Sequence, residues 1–188
     1  MKIAVIGGGS TYAPELIDGL IYNAERLDLN EVVLMDIDAE RLKVVGTFCE
    51  RMVAHAGNKF TLKSTTDRVE AIKGADFIVT QIRVGKQIAR HKDIKLGLRH
   101  GLVGQETTGV GGMAKALRTI PVMREIVEDA RRYAPDAWFI NFTNPSGLIT
   151  ESLYKMGVKK LVGLCNIPIG IIMDLALHLQ CDPDRIKI

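Results

Sequence analysis

The feature that most constrains this chain is an apolar, largely β-branched run, Ile3-Ala4-Val5-Ile6, that stops at Gly7-Gly8-Gly9. A run without alternation predicts a strand buried on both faces, as in a parallel sheet. Ser10 and Thr11 then offer a helix N-cap. Pro14 falls in the first turn, where its missing N–H costs little. Leu16, Leu20 and Ile21 follow at helical spacing. A second strand over residues 31–35 ends at Asp36. Gly7, Gly9 and Tyr12 fill the three slots of a GxGxxG pattern. The first two permit a tight turn and close approach of a pyrophosphate to a helix N-terminus. The third slot departs from glycine. Asp36 lies at about the ~20-residue distance needed to bond a ribose 2′-hydroxyl, and its charge favours NAD over NADP. The alternative is a plain strand–helix turn with a surface aspartate.

Further along, strand and helix signals alternate. A helix is predicted over 39–56, with Leu42, Val45, Cys49 and Val53 on one face. Strands are predicted over 59–64, 76–81, 138–142 and 160–164. Helices are predicted over 87–98, 114–133 (kinked near Pro121), 146–155 and 167–179. This order predicts an α/β fold, a Rossmann-like doubly wound, mostly parallel sheet with helices on both faces. Residues 1–188 are read as one NAD-binding domain. The exception to the pattern is a Gly-rich stretch over 97–113, read as a long loop with a functional role.

Composition narrows the partners. The 25 Lys and Arg against 22 Asp and Glu give a net charge of +3, too small and too dispersed to suggest nucleic acid or an anionic membrane. Aromatic residues at 5% show no stacking pattern for single strands. The amino-terminal apolar run is too short to span a bilayer, and without a small-residue cleavage site it is not read as a signal peptide. Cys49, Cys165 and Cys181 form no disulfide framework, which fits a reducing cytoplasm. Cys49 is assigned to the core.

Several polar motifs follow strand ends, where ligands bind in open parallel sheets. Gly104-Gln105-Glu106-Thr107-Thr108-Gly109 could touch a cofactor or close over a substrate, or be a flexible surface loop. Asn141-Phe142-Thr143-Asn144-Pro145-Ser146-Gly147 offers amides suited to sugar hydroxyls or a carboxylate. Alternatively, Asn144 or Ser146 caps the next helix. Cys165 in Leu164-Cys165-Asn166-Ile167-Pro168 stands near a helix start that favours a thiolate, although spacing alone favours a structural cysteine. Arg83 and Arg90 could grip a phosphate or carboxylate in a fork, or be ordinary surface arginines. His55, His91, His100 and His178 show no metal-ligand spacing and receive no role.

Together, IAVIGGGSTYAPEL, Asp36-Ile37-Asp38, IRVGK, GLVGQETTGVGG, NFTNPSG and LCNIPIG resemble glycoside hydrolase family 4, the NAD-dependent glycosidases. Cys-Asn-Ile-Pro is similar to the motif of the 6-phospho-β-glucosidases, whereas the 6-phospho-α-glucosidases carry Asp after the cysteine. This family is an exception to two-carboxylate hydrolysis. The resemblance implies hydride abstraction at sugar C3, metal-assisted loss of the C2 proton to a tyrosine, β-elimination at C1, water addition and return of the hydride. It implies NAD and a divalent metal, manganese, as cofactors. The partner would be a phosphorylated disaccharide or β-glucoside, with homo-oligomers in the full-length form. Gly7, Gly9, Ser10 and Thr11 would hold the pyrophosphate and Asp36 the ribose. Cys165 would ligate the metal, a soft donor for a hard ion. Asn144, Arg90 and Arg83 would bind substrate. Glu106 would sit near the catalytic centre, and Asn166 would stand where α-specific relatives place an acid.

The family is longer than this chain. Its second metal ligand and tyrosine base have no matching positions here, and the final RIKI reads as the start of another strand. The chain is therefore expected to be an amino-terminal half that binds NAD without hydrolysing glycosides alone. Apolar surface left uncovered would then favour self-association. The rivals are a 2-hydroxy acid dehydrogenase of the lactate/malate type and a non-catalytic nucleotide-binding module.

Overall fold

The structure, a computed structural model, describes residues 1–187. The amino-terminal apolar run forms β1 (Lys2–Ile6), in which Ala4 and Val5 are fully buried. Its side chains alternate between two cores. Ala4 and Ile6 belong to one, and Ile3 and Val5 to the other. A strand covered on both faces needs apolar residues at every position, which is why the run does not alternate.

The chain continues through α1 (Ala13–Asn23), β2 (Glu31–Met35), α2 (Ala39–His55), β3 (Thr61–Thr65), α3 (Arg68–Ile72) and β4 (Phe77–Thr80). Then come α4 (Lys86–Arg99), α5 (Gly109–Tyr133), β5 (Trp138–Asn141), α6 (Ser146–Lys155), β6 (Leu161–Gly163) and α7 (Asn166–Leu179), followed by a 3-10 turn at Pro183–Arg185. The sheet order is β3-β2-β1-β4-β5-β6, and every neighbouring pair is parallel. This is the Rossmann-like, doubly wound arrangement expected from the sequence. Successive connections run outward one way from β1 and then the other way from β4. The crevice at that reversal, beyond the carboxyl ends of β1 and β4, is where such sheets bind ligands. The helices α1 and α2 cover one face, while α3, α5 and α6 cover the other. No helix among the described residues is long and apolar enough to cross a membrane.

The structure departs from the sequence reading in four places. The loop expected over 97–113 is shorter, confined to 100–108: α4 runs through Arg99 and α5 starts at Gly109. Its glycines serve close packing as well as turning. A Cβ on Gly111 would drive into the carbonyl of Gln105. The short helix α3 went unread, although Asp67 caps it by accepting from the N–H groups of Val69 and Glu70. Ser10 and Thr11 do not cap α1. Tyr12 occupies that position, and its N–H donates to Ser10 Oγ at 3.2 Å. The final strand is also absent among the described residues. Residues 183–185 form the 3-10 turn instead, and Ile188 lies outside the described residues.

Candidate nucleotide and substrate site

The glycine loop is held from three sides. The N–H groups of Gly7 and Gly8 both donate to the Met35 carbonyl at 2.8 Å. Gln81 Nε2 donates to the Gly7 carbonyl at 3.1 Å, tying β1 to the end of β4. Gly7 has φ +101°, and a Cβ there would lie 2.6 Å from the Gln81 carbonyl oxygen, so only glycine fits. Gly9 is gripped at both ends of its backbone. Its N–H donates to Asp36 Oδ2 at 2.9 Å, and its carbonyl accepts from Arg41 Nε and Nη2 at 3.3 and 3.1 Å. The other carboxylate oxygen, Asp36 Oδ1, accepts from the Asp38 N–H at 2.9 Å.

These contacts orient Asp36 without exhausting it. Each carboxylate oxygen has two lone pairs, so both can still accept a hydroxyl. The loop stands at the N-terminus of α1, an 11-residue helix, where backbone N–H groups and the helix dipole favour a pyrophosphate. Backbone that leaves no room for a Cβ, a helix start and an oriented acid together fit a dinucleotide. Asp38 caps α2 through the Arg41 N–H and takes a 2.6 Å ion pair from Lys86, which connects the Asp36 turn to the start of α4.

Glu106 is the centre of a second cluster. Arg83 reaches both of its oxygens at 2.8 and 3.3 Å, Arg90 Nε lies 2.7 Å from Oε2, and Lys115 Nζ lies 3.2 Å from Oε1. Burial raises the Glu106 pKa, but the Arg83 hydrogen bonds and the Lys115 charge outweigh it and bring it to about 2. The Lys115 side chain is only 3% exposed. Burial pushes its pKa down, the Arg83 charge pushes the same way, and Glu106 opposes both. Beside this cluster, Arg118 pairs with the buried Asp93 at 2.5 Å and donates to the Val84 carbonyl, bracing α4 against α5. Three cations on one carboxylate leave an excess of positive charge suited to an anion. Arg83 and Arg90, with side chains 31% and 44% exposed, are thus both anchored on Glu106.

The loop after β5 is organised by Asn141, which is fully buried. Its Oδ1 accepts from Thr80 Oγ1 and the Thr143 N–H, each at 3.1 Å, while Nδ2 donates to Thr150 Oγ1 at 3.0 Å. Thr143 Oγ1 accepts from the Ile82 N–H at 3.0 Å, so the loops after β4 and β5 are locked together. Asn144 is half-buried and precedes a cis peptide to Pro145. Neither Asn144 nor Ser146 caps α6. Pro145 holds the cap position without a side-chain bond, and Ser146 Oγ donates to the Leu164 carbonyl at 3.1 Å. Cys165 is the N-cap residue of α7 and is half-buried, and Asn166 is exposed. Cys49 is fully buried, and burial pushes its thiol up to about 11, as befits a core residue.

The structure therefore brings Gly7, Gly9, Ser10 and Asp36 together, and separately Arg83, Arg90 and Glu106. Thr11 is exposed on the glycine loop. Lys115, Arg41 and Lys86 were not picked out in the sequence. Lys115 was detectable. It falls on the buried stripe of α5 with Gly112, Ala116, Thr119 and Met123, where a charge needs a partner. The metal reading is less complete: the described residues contain no group of three His, Cys, Asp or Glu side chains able to hold an ion. Cys165 could give one ligand only.

The chain matches the family described as family 4 glycosyl hydrolase over residues 2–181. It belongs to that family. Over 191 aligned residues it is 49% identical to the probable 6-phospho-beta-glucosidase of Bacillus subtilis, covering 100% of this chain and 43% of the relative. The 6-phospho-beta glucosidase of Thermotoga maritima, solved with manganese, NAD+ and glucose-6-phosphate, superposes with a TM-score of 0.91 at 40% identity. That match covers 97% of this chain and 45% of the other. The malate dehydrogenase of Salinibacter ruber superposes with a TM-score of 0.67 at 16% identity, a likeness of fold alone. The family 4 chain thus spans about two-fifths of the length of the glucosidases it matches.

Proposed function

We propose that this chain supplies the NAD site and part of the substrate site of a 6-phospho-β-glucosidase, with residues 1–188 as its dinucleotide-binding domain. The observation that carries the reading is the cation cluster on Glu106 at the carboxyl edge of a dinucleotide-type sheet. A simple glucoside offers nothing for that excess charge, whereas a sugar phosphate does.

NAD, when bound, would supply a reversible hydride acceptor for the sugar. The backbone of Gly7 to Thr11 and the start of α1 hold the pyrophosphate, and Asp36 accepts the ribose hydroxyls. Arg83, Arg90 and Lys115 attract the phosphate, while Glu106 holds the three cations apart and in place. Asn144 offers both donor and acceptor to a sugar hydroxyl. Asn166 cannot act as an acid toward the leaving group, since an amide has no proton to give at neutral pH. Cys165 contributes one thiolate ligand to a divalent metal, manganese in the Thermotoga structure. The described residues do not complete that site, so no step is assigned to it. The setting is a cytoplasmic, homo-oligomeric enzyme acting on phosphorylated β-glucosides.

The test joins this chain at Ile188 to the corresponding carboxyl-terminal part of the Bacillus relative. With NAD and Mn2+, the joined chain should hydrolyse a 6-phospho-β-glucoside and leave the unphosphorylated glucoside intact. The 188-residue chain alone should hydrolyse neither glucoside. Equal turnover of both glucosides, or accumulation of NADH with a 2-hydroxy acid, would contradict the reading.

A further inference from the structure

Tyr12 stands where the dinucleotide pattern usually has its third glycine, and its side chain touches two other loops. Its ring meets Phe142 edge-on, with centroids 5.6 Å apart and planes at 65°. Its hydroxyl accepts from Asn166 Nδ2 at 3.1 Å, across 154 residues of sequence. Its backbone N–H closes the glycine loop on Ser10 Oγ. One side chain therefore joins the glycine loop, the loop after β5 and the turn into α7.

This tie matters because α7 has little else to hold its start against the glycine loop. The helix is apolar but almost wholly exposed, with Ala176 its one buried residue among those described. On the other side of the turn, Ser146 Oγ holds the Leu164 carbonyl. The Cys165-Asn166 turn is thus suspended between α6 and Tyr12. Any restriction placed on Tyr12 passes to Cys165 through one hydrogen bond. Resting on the reading that the glycine loop takes NAD, we propose that Tyr12 is a positioning residue that couples occupancy of that loop to the Cys165-Asn166 turn. Coupling of this kind is reciprocal, so whatever fixes the turn also favours the dinucleotide.

The size follows from a single, partly exposed hydrogen bond. Roughly two- to tenfold changes are expected in local opening. Iodoacetamide labelling of Cys165, located by peptide mass mapping, reads that opening directly, and Cys181 serves as the internal reference. Tyr12→Phe keeps the ring on Phe142 and removes only the hydroxyl. Without NAD, Cys165 should label about threefold faster in Tyr12→Phe than in the unaltered chain, with Cys181 unchanged. Adding Asn166→Ala to that variant should produce no further increase, since both changes cut the same bond. Saturating NAD should slow Cys165 labelling in the unaltered chain and lose that effect in Tyr12→Phe, while calorimetry shows NAD still bound to both.

Equal Cys165 labelling in Tyr12→Phe and the unaltered chain without NAD would overturn the proposal. So would an NAD effect that survives in Tyr12→Phe, or one absent from an unaltered chain that binds NAD. Failure of the unaltered chain to bind NAD would instead count against the cofactor reading. The hydroxyl tie would still be decided by the labelling without NAD.

Discussion

Around the glycine loop, backbone and side-chain polar groups find partners within the chain. Asp36, Arg41, Gln81 and the Met35 carbonyl all converge on three glycines. At the other end of the same sheet, α7 carries apolar residues on every side, yet Ile167 is 64% and Leu177 75% exposed. A helix that is apolar all round is suited to burial. The first region is therefore complete in itself, and the second is suited to a covering that the described residues do not provide. The glucosidases it matches are more than twice as long, since it spans 43% and 45% of them. The two regions therefore call for separate tests. The dinucleotide loop can be tested on this chain, whereas the α7 side must be tested with its covering.

The two regions should differ most when one apolar side chain is truncated in each. Ile17 is fully buried on the inner face of α1, the glycine-loop helix, and Ile17→Ala should cost about 4 kcal/mol in urea unfolding. Ile167→Ala on α7 should cost less than ~0.5 kcal/mol. Comparable losses would mean that α7 is packed after all.

Glu106→Gln should cost about 3 kcal/mol at pH 7, because it leaves three cations facing a neutral amide. The pH dependence sharpens this. Glu106 is held at about 2 in the folded chain against an ordinary 4.5. Its stabilisation is therefore complete above pH 4.5 and is lost as pH falls through about 2. The gap between the urea midpoints of the two proteins should narrow from pH 5 to pH 2. Lys115 runs the other way. Its pKa is lowered by burial, so the cost of charging it fades as pH rises toward the ordinary lysine value. A gap independent of acid would show that Glu106 is not the hub.

Smaller effects follow. Arg41→Ala frees the Gly9 carbonyl and should cost about 1 kcal/mol of stability, with a several-fold weaker NAD affinity by calorimetry. Leu177→Lys should leave the unfolding midpoint within ~0.5 kcal/mol but reduce concentration-dependent light scattering. Unchanged scattering would place the sticky surface elsewhere.

The sheet was legible because its signals are local. Short unalternating runs such as Ile3–Ile6 and Phe77–Thr80, bounded by turn residues and rich in β-branched side chains, read as buried strands, and the motifs that follow them fall at the carboxyl edge by topology. The start of α5 lies at Gly109 rather than at the expected residue 114, because glycine is ambiguous in sequence. The same residue that signals a loop also permits the close approach of Gly111 to Gln105. The Glu106 cluster was only half legible. Arg83, Arg90 and Glu106 were singled out, but what unites them is a long-range meeting of α4, α5 and the turns beside them. The Tyr12–Asn166 bond, spanning 154 residues, has no sequence signal beyond the oddity of a tyrosine in a glycine slot.

These residues are expected to build a working NAD site on their own. Calorimetric titration with NAD, NADP and an Asp36→Ala variant tests this most directly, with circular dichroism confirming that each protein is folded. The expected result is clear NAD binding, weaker NADP binding, and at least a roughly tenfold loss in Asp36→Ala, as charge-assisted bonds to the ribose disappear. No binding by the folded chain, or an unchanged affinity in the variant, would contradict it.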